Sequence, residues 1–375
     1  MNVTNAQRTF EATDVLKKTC ETLNNLKRIS YSSHREISNI RSNDFVKNSG
    51  DSYFEYHPNK EGNVSRFQLY STDAFQVYNG TEYFLLNHKD CTIDLQKATI
   101  NKLGNLTLLH NSITTLRVAL PLLIANDSIP KSIQDTLIDN KSYYLIKFEL
   151  YKKTLDFPKG VWGLKSDVTR FYTLIVDKMT YLPYIVFDSN SIENDRYYTK
   201  TVFTNINTDP MEPTENSWFF SSYNGYKPLK DEAQKPMISV GHALPNWKLP
   251  EIKKQTTDTL TSSDFKGKMI LVEFWIKNCG YCLAAFPELK ALQEKYGKQI
   301  EILSINAYEA KDDVTFFYNR ESPAYRMLYD GQALADKIGI YGYPTIILVD
   351  RAGKVAYVSL GFNTEKIEAA IKKAL

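Results

Sequence analysis

The sequence predicts two domains of different class: an N-terminal α+β domain dominated by antiparallel sheet, and a C-terminal α/β domain. Three observations carry this reading. At 375 residues the chain exceeds what one hydrophobic core usually organises. Its first part holds one amphipathic helical pattern followed by a long stretch of aromatic and β-branched alternation. Near the end an apolar run, Met269–Trp275, reads as a buried parallel strand that leads into a helix. The composition is globular, 43% hydrophobic and 24% charged, which suffices for two cores. A net charge of +3 without a Lys/Arg-rich stripe gives no footprint for nucleic acid.

Taken in order, Phe10, Val15, Leu16, Leu23, Leu26 and Ile29 fit an amphipathic helix over about residues 6–28. Strand signals follow at Tyr53–Tyr56 and Arg66–Tyr70. Phe75–Tyr78 and Thr81–Phe84 flank Asn79-Gly80, a two-residue hairpin signal. Tyr143–Tyr151, Arg170–Val176, Tyr184–Asp188 and Tyr197–Ile206 complete the set. One helix and many antiparallel strands predict a large curved sheet or open barrel wrapped on that helix. Tyr53, Tyr70, Tyr78, Tyr143 and Phe171 supply bulk enough to fill its inner face. The polar, proline-bounded stretch Lys227–Pro236 is the better of two candidate linkers. The expected division is 1–230, a linker over 231–239, and 240–375.

In the second domain Cys279-Gly-Tyr-Cys282 sits between the strand run and a helix over about Leu283–Tyr296. Leu283, Phe286, Leu289, Leu292 and Tyr296 mark one face of that helix, and Pro287 lies inside it. A helix N-terminus stabilises a thiolate through its dipole and free N–H groups, and the thiolate is the nucleophile of disulfide exchange. A structural zinc site needs two further ligands. Cys20 and Cys91 are solitary, and the five histidines form no ligand pair, so no metal is expected. Downstream come Tyr343-Pro344-Thr345, a second apolar run Ile346–Val349, a turn, a returning strand Val355–Leu360 and a final amphipathic helix Thr364–Leu375.

From Val240 to Leu375 the chain resembles the TlpA/ResA-like thioredoxin-fold family. The opening Val240–Leu249, the lead-in Leu260–Lys268, the strand Leu271–Trp275, the CxxC, the Tyr343-Pro344-Thr345 loop and Gly361 occur in that family's order. The resemblance implies a thiol-disulfide oxidoreductase that requires no cofactor. Cys279 would be the attacking thiol, Cys282 the buried resolving thiol, and Pro344 a cis-proline that leaves the Tyr343 backbone free for an extended substrate. Glu273 matches the buried acid that accepts the resolving thiol's proton; a solvated strand end is its other reading. Tyr281, inside the motif, joins Tyr343 as a substrate contact. Three departures stand out: Ala285 replaces a glutamate usual in ResA-like proteins, Asn278 replaces a common tryptophan, and Tyr281 replaces the proline of reducing thioredoxins. The Gly-Tyr dipeptide is that of DsbC-like isomerases, which leaves reductase and isomerase both open.

The N-terminal domain is similar to the LolA/LolB-like half-barrel of bacterial envelope proteins, through its helix-then-sheet order and the phrase Leu174–Pro183. That resemblance admits two roles, a carrier of lipid or lipoprotein and a docking module with a filled interior. Both resemblances imply the periplasm or cell envelope, hence a signal segment outside this sequence, protein disulfide or thiol substrates and a membrane electron donor. In an oxidising compartment Cys20 and Cys91 could bridge; separate burial is the alternative.

Overall fold

The computed structural model describes residues 5–39, 44–57, 64–96, 100, 103, 107–164, 167–192, 194–229, 235–253, 257–277 and 279–375. The chain forms two compact units, Met1–Lys230 and Asp231–Leu375.

The first unit opens with helix α1 (Asn5–Asn24). Six strands follow: β1 (Arg28–Asn39), β2 (Asp44–Tyr56), β3 (Val64–Tyr70), β4 (Ala74–Tyr78), β5 (Tyr83–Asn87) and β6 (Thr92–Gln96). Helix α2 (Ile113–Ile124) precedes β7 (Lys131–Ile138), β8 (Lys141–Tyr151), β9 (Lys153–Asp156) and β10 (Gly160–Gly163). Then come β11 (Thr169–Asp177), β12 (Pro183–Asn190), β13 (Asn194–Asn207) and the short β14 (Lys227–Pro228). Twelve strands make one open sheet in the order β14-β6-β5-β4-β3-β2-β1-β13-β12-β11-β8-β7, while β9 and β10 pair separately.

Five expectations change here. Helix α1 stops at Asn24, and Ile29 belongs to β1, whose alternating burial follows a period of two. A second helix, α2, was not expected: its run is apolar nearly all round and carries Pro121 near its end. Ser112 caps it, accepting the Thr115 N–H at 3.0 Å. The hairpin loop is four residues, because Tyr78 pairs with Tyr83 and the Asn79 side chain accepts the N–H groups of Thr81 and Glu82. Of the five aromatics expected inside, only Tyr78 packs in the helix-side core. Tyr70 is exposed, Phe171 is half-buried, and Tyr53 lies on the opposite face against Trp218, ring centroids 6.0 Å apart. The helix-side core is filled instead by residues such as Tyr31, Phe54, Phe67, Phe148, Tyr172 and Phe203. Finally, of the two readings left open for Cys20 and Cys91 neither holds as stated: they are not bridged, and Cys20 is only half-buried while Cys91 is exposed. Cys20 rides on α1, which packs on α2 and the β7 edge, whereas Cys91 lies in the β5–β6 turn near the other edge.

Two buried charges organise this unit. Arg117 of α2 donates to the carbonyls of Leu23, Asn24 and Leu26, satisfying the end of α1, and its guanidinium stacks 3.8 Å from the Tyr56 ring centre. Asp188 of β12 is fully buried and accepts from Arg170 at 2.6 and 2.7 Å and from Asn111 at 3.0 Å; His110 Nε2 lies 3.8 Å away. Burial pushes the Asp188 carboxyl up, but His110, Arg170 and Asn111 outweigh it and hold the pKa below its ordinary value.

In the second unit β15 (Lys248–Ile252), β16 (Thr257–Thr261), β17 (Met269–Trp275), β18 (Ile300–Asn306), β19 (Arg326–Leu328), β20 (Thr345–Val349) and β21 (Val355–Leu360) form one sheet. Its order is β16-β15-β19-β18-β17-β20-β21, with β17 parallel to β18 and antiparallel to β20. Helices α3 (Gly280–Tyr296), α4 (Lys311–Glu321) and α6 (Thr364–Ala374) contribute to the core on one face; α5 (Gln332–Lys337) packs on the other. Covered on both faces, β17 is buried along its whole length. Among the described residues no helix is long and apolar enough to cross a membrane.

Removing Arg170 leaves Asp188 buried without its guanidinium partner, with only Asn111 and the more distant His110 beside it, and breaking a buried pair in this way typically costs about 3–5 kcal/mol. The expected result for Arg170→Met is faster hydrogen exchange across the β11–β13 amides, with recovery in Arg170→Met/Asp188→Leu. Because the folded pKa of Asp188 is lowered, its contribution is present above the ordinary carboxylate range. Protection should therefore fall in the wild type as pH drops below about 4.

Candidate active site

Strand β17 ends at Trp275, and four residues on Cys279 caps α3 with extended backbone, φ −118° and ψ 97°. Its Sγ accepts the Cys282 N–H at 3.1 Å, so the first sulfur sits on the free amides of the helix start. Cys282 lies inside the first turn, fully buried among Trp275, Phe286 and Leu289, while Cys279 is half-buried. The two sulfurs form a disulfide. Asn278 falls outside the described residues.

The strand's period of two decides where Glu273 points. Met269, Leu271 and Trp275 join the core that contains Cys282 and α3, whereas Ile270, Val272 and Phe274 join the opposite core. Glu273 shares the parity of the first set and faces the side of Cys282. It is buried, not a solvated strand end. Its cross-strand partner on β18 is Ser304, whose hydroxyl donates to Oε2 at 2.7 Å; Oε1 is buried without a partner among the described residues. Burial pushes the Glu273 carboxyl up to about 8, against the lowering effect of Ser304.

The loop between β17 and Cys279 is held by a clamp that sequence reasoning missed. Glu309 Oε1 accepts the Lys277 N–H at 3.1 Å, and its Oε2 accepts from Asn306 Nδ2 at 2.7 Å. The Glu309 N–H returns a bond to Asn306 Oδ1 at 2.8 Å, and Lys277 Nζ reaches Asp313 at 2.8 Å. Ser304 and Asn306 stand out in the sequence only as polar residues that follow the apolar run Ile302-Leu303 and flank Ile305.

The Tyr343–Pro344 peptide is cis. Pro344 is buried, its carbonyl accepts the Gly361 N–H at 2.7 Å, and the Tyr343 ring rests edge-on against Tyr308. Tyr281 is 78% exposed. A groove of about 610 Å³ is lined by Tyr281, Ala284, Ala285 and Glu288 of α3, by Gly342–Pro344, and by Leu360–Phe362 with Thr364. The structure thus gathers Tyr281, Tyr343 and Pro344 around one groove, which the CxxC turn borders through Tyr281. Ala285 forms part of its wall.

The arrangement suits two-step disulfide exchange: an accessible sulfur at a helix N-terminus, a buried sulfur behind it and an apolar groove alongside. The family profile described as Redoxin matches residues 239–375. The thiol-disulfide oxidoreductase ResA of Geobacillus thermodenitrificans is 30% identical over 135 residues, 36% of this chain and 76% of that protein. ResA of Bacillus anthracis is 29% identical over 157 residues, 41% of this chain and 86% of that protein. The crystal structure of the thioredoxin domain of a thiol-disulfide oxidoreductase from Bacteroides vulgatus aligns with a TM-score of 0.33 and 23% identity, covering 37% of this chain and 99% of that one. Through its second unit, the chain belongs to the ResA-like thiol-disulfide oxidoreductases of the Redoxin family.

Proposed function

We propose that this protein exchanges disulfides with protein substrates in the bacterial cell envelope, using Cys279 as nucleophile and Cys282 as resolving thiol. The observation that carries this reading is the asymmetry of the pair: Cys279 caps the helix and is partly exposed, and Cys282 is sealed beneath it. The reduced Cys279 thiolate attacks a substrate disulfide and releases one substrate thiolate. Cys282 then attacks the mixed disulfide, releasing the second substrate thiol and restoring the Cys279–Cys282 bond. Glu273, on the Cys282 side of β17, accepts the proton that Cys282 sheds. A membrane electron donor would return the pair to the dithiol. The first unit is read as a LolA/LolB-like module for docking or spacing. A lipid-carrier role is the weaker reading, since aromatic and aliphatic side chains of the chain itself fill the space between helices and sheet.

Direction is set by the potential of the pair, measured against glutathione. A value near about −270 mV makes the protein a reductase, and one near or above about −180 mV makes it an oxidant or isomerase.

Cys282→Ala is expected to accumulate mixed disulfides with substrate, and Cys279→Ala to trap none. Alkylation of Cys282 ahead of Cys279 in the reduced protein would overturn the role assignment. Glu273→Gln should slow the resolving step by roughly 10²-fold. Ser304→Ala should move that step's pH inflection upward from about 8, because the hydrogen bond to the charged form is lost. Stability carries the opposite sign to that of Asp188. A raised carboxyl supports the fold in its neutral form, so stability should fall as pH rises from the ordinary carboxylate range to about 8 and level off above it. Glu273→Gln should remove that fall, on the order of 2–4 kcal/mol at pH 9, read from urea midpoints at pH 6 and 9.

A further inference from the structure

The groove beside the disulfide contains one charged side chain, and it is acidic. Tyrosine, alanine, proline, leucine and phenylalanine make most of its walls; Glu288 is its single ionisable carboxylate. Thr364 Oγ1 donates to Glu288 Oε2 at 2.9 Å and fixes the head group at the start of α6. Among the described residues no lysine or arginine pairs with Glu288, and its Oε1 is left to accept from a visitor. Glu288 is solvent-exposed, so its pull on a visiting cation is that of a surface pair, modest and weakened by salt.

We infer that Glu288 is a specificity-determining residue that favours substrate segments with a lysine or arginine near the reacting cysteine. This rests on the reading of Cys279 as nucleophile. The spacing follows from helix geometry. Glu288 lies nine positions after Cys279, a rise of about 14 Å at ~1.5 Å per residue. An extended segment advances about 3.3 Å per residue, so the matching cation lies roughly four residues from the substrate cysteine. Polarity of the substrate chain decides on which side.

The test uses the full-length reduced protein and a set of extended peptides, each holding its cysteine as a mixed disulfide with mercaptoethanol. Lysine, glutamine or glutamate is placed four residues before or after the cysteine. The expected order of kcat/KM is lysine over glutamine over glutamate, on one side only, with steps of about two- to fivefold at low salt. The steps should shrink as ionic strength rises towards about 1 M, where the screening length falls to ~3 Å. Glu288→Gln should flatten the order, and Glu288→Lys should invert it. Equal rates for the three peptides in the wild-type protein overturn this inference alone, as does the same order in Glu288→Gln. Failure of every peptide to react overturns the assignment of Cys279 and this inference with it.

Discussion

The main-chain N–H of Cys282 pointing at the sulfur of Cys279 is the contact on which the redox site depends. It exists because β17 delivers the chain to the N-terminus of α3, where amides have no partner within the helix. Strand and helix are locked in turn by the cores on both faces of the sheet. The Asn306–Glu309 clamp then closes on Lys277, two residues before the cysteine, so the approach to the site is tied to the neighbouring strand. A half-buried sulfur is thus held by a strand buried along its whole length.

The first unit solves a different problem, that of a wide open sheet with two helices on one face. Arg117 joins the helices by satisfying the carbonyl end of one from the body of the other. Asp188 and Arg170 serve the polar end of the same face, where Asn111 reaches across from the segment that leads into α2. Trp218 covers part of the opposite face, with Arg66 above its ring at 4.4 Å.

What the sequence discloses follows the range of the interactions involved. The CxxC, the proline loop and the apolar strand are local signals, and each is legible within ten residues. Glu273 is suspected from the same run, because a lone acid amid Leu271, Val272, Phe274 and Trp275 has few ways to stay solvated. Ser304, Asn306, Glu309 and Glu288 are not legible, since each gains its meaning from a partner on another element. In the first unit Ile29 falls at helical spacing from Leu26 and reads as helix, although the strand claims it. Tyr53 and Phe54 are adjacent in sequence and sit in different cores, an outcome only strand pairing decides.

Pairing of β17 with β18 in parallel aligns Glu273 with Ser304 and keeps both on the side of Cys282. A one-residue slip would turn every side chain of a strand to the other face, since the period is two. It would separate the carboxyl from its hydroxyl and bring apolar neighbours into that place. The acidity of this group is therefore a property of backbone alignment as much as of residue type. The segment between the two strands, which includes all of α3, can vary in sequence only so far as that alignment survives. An insertion there that shifted the alignment would retune a proton without altering a single titratable residue.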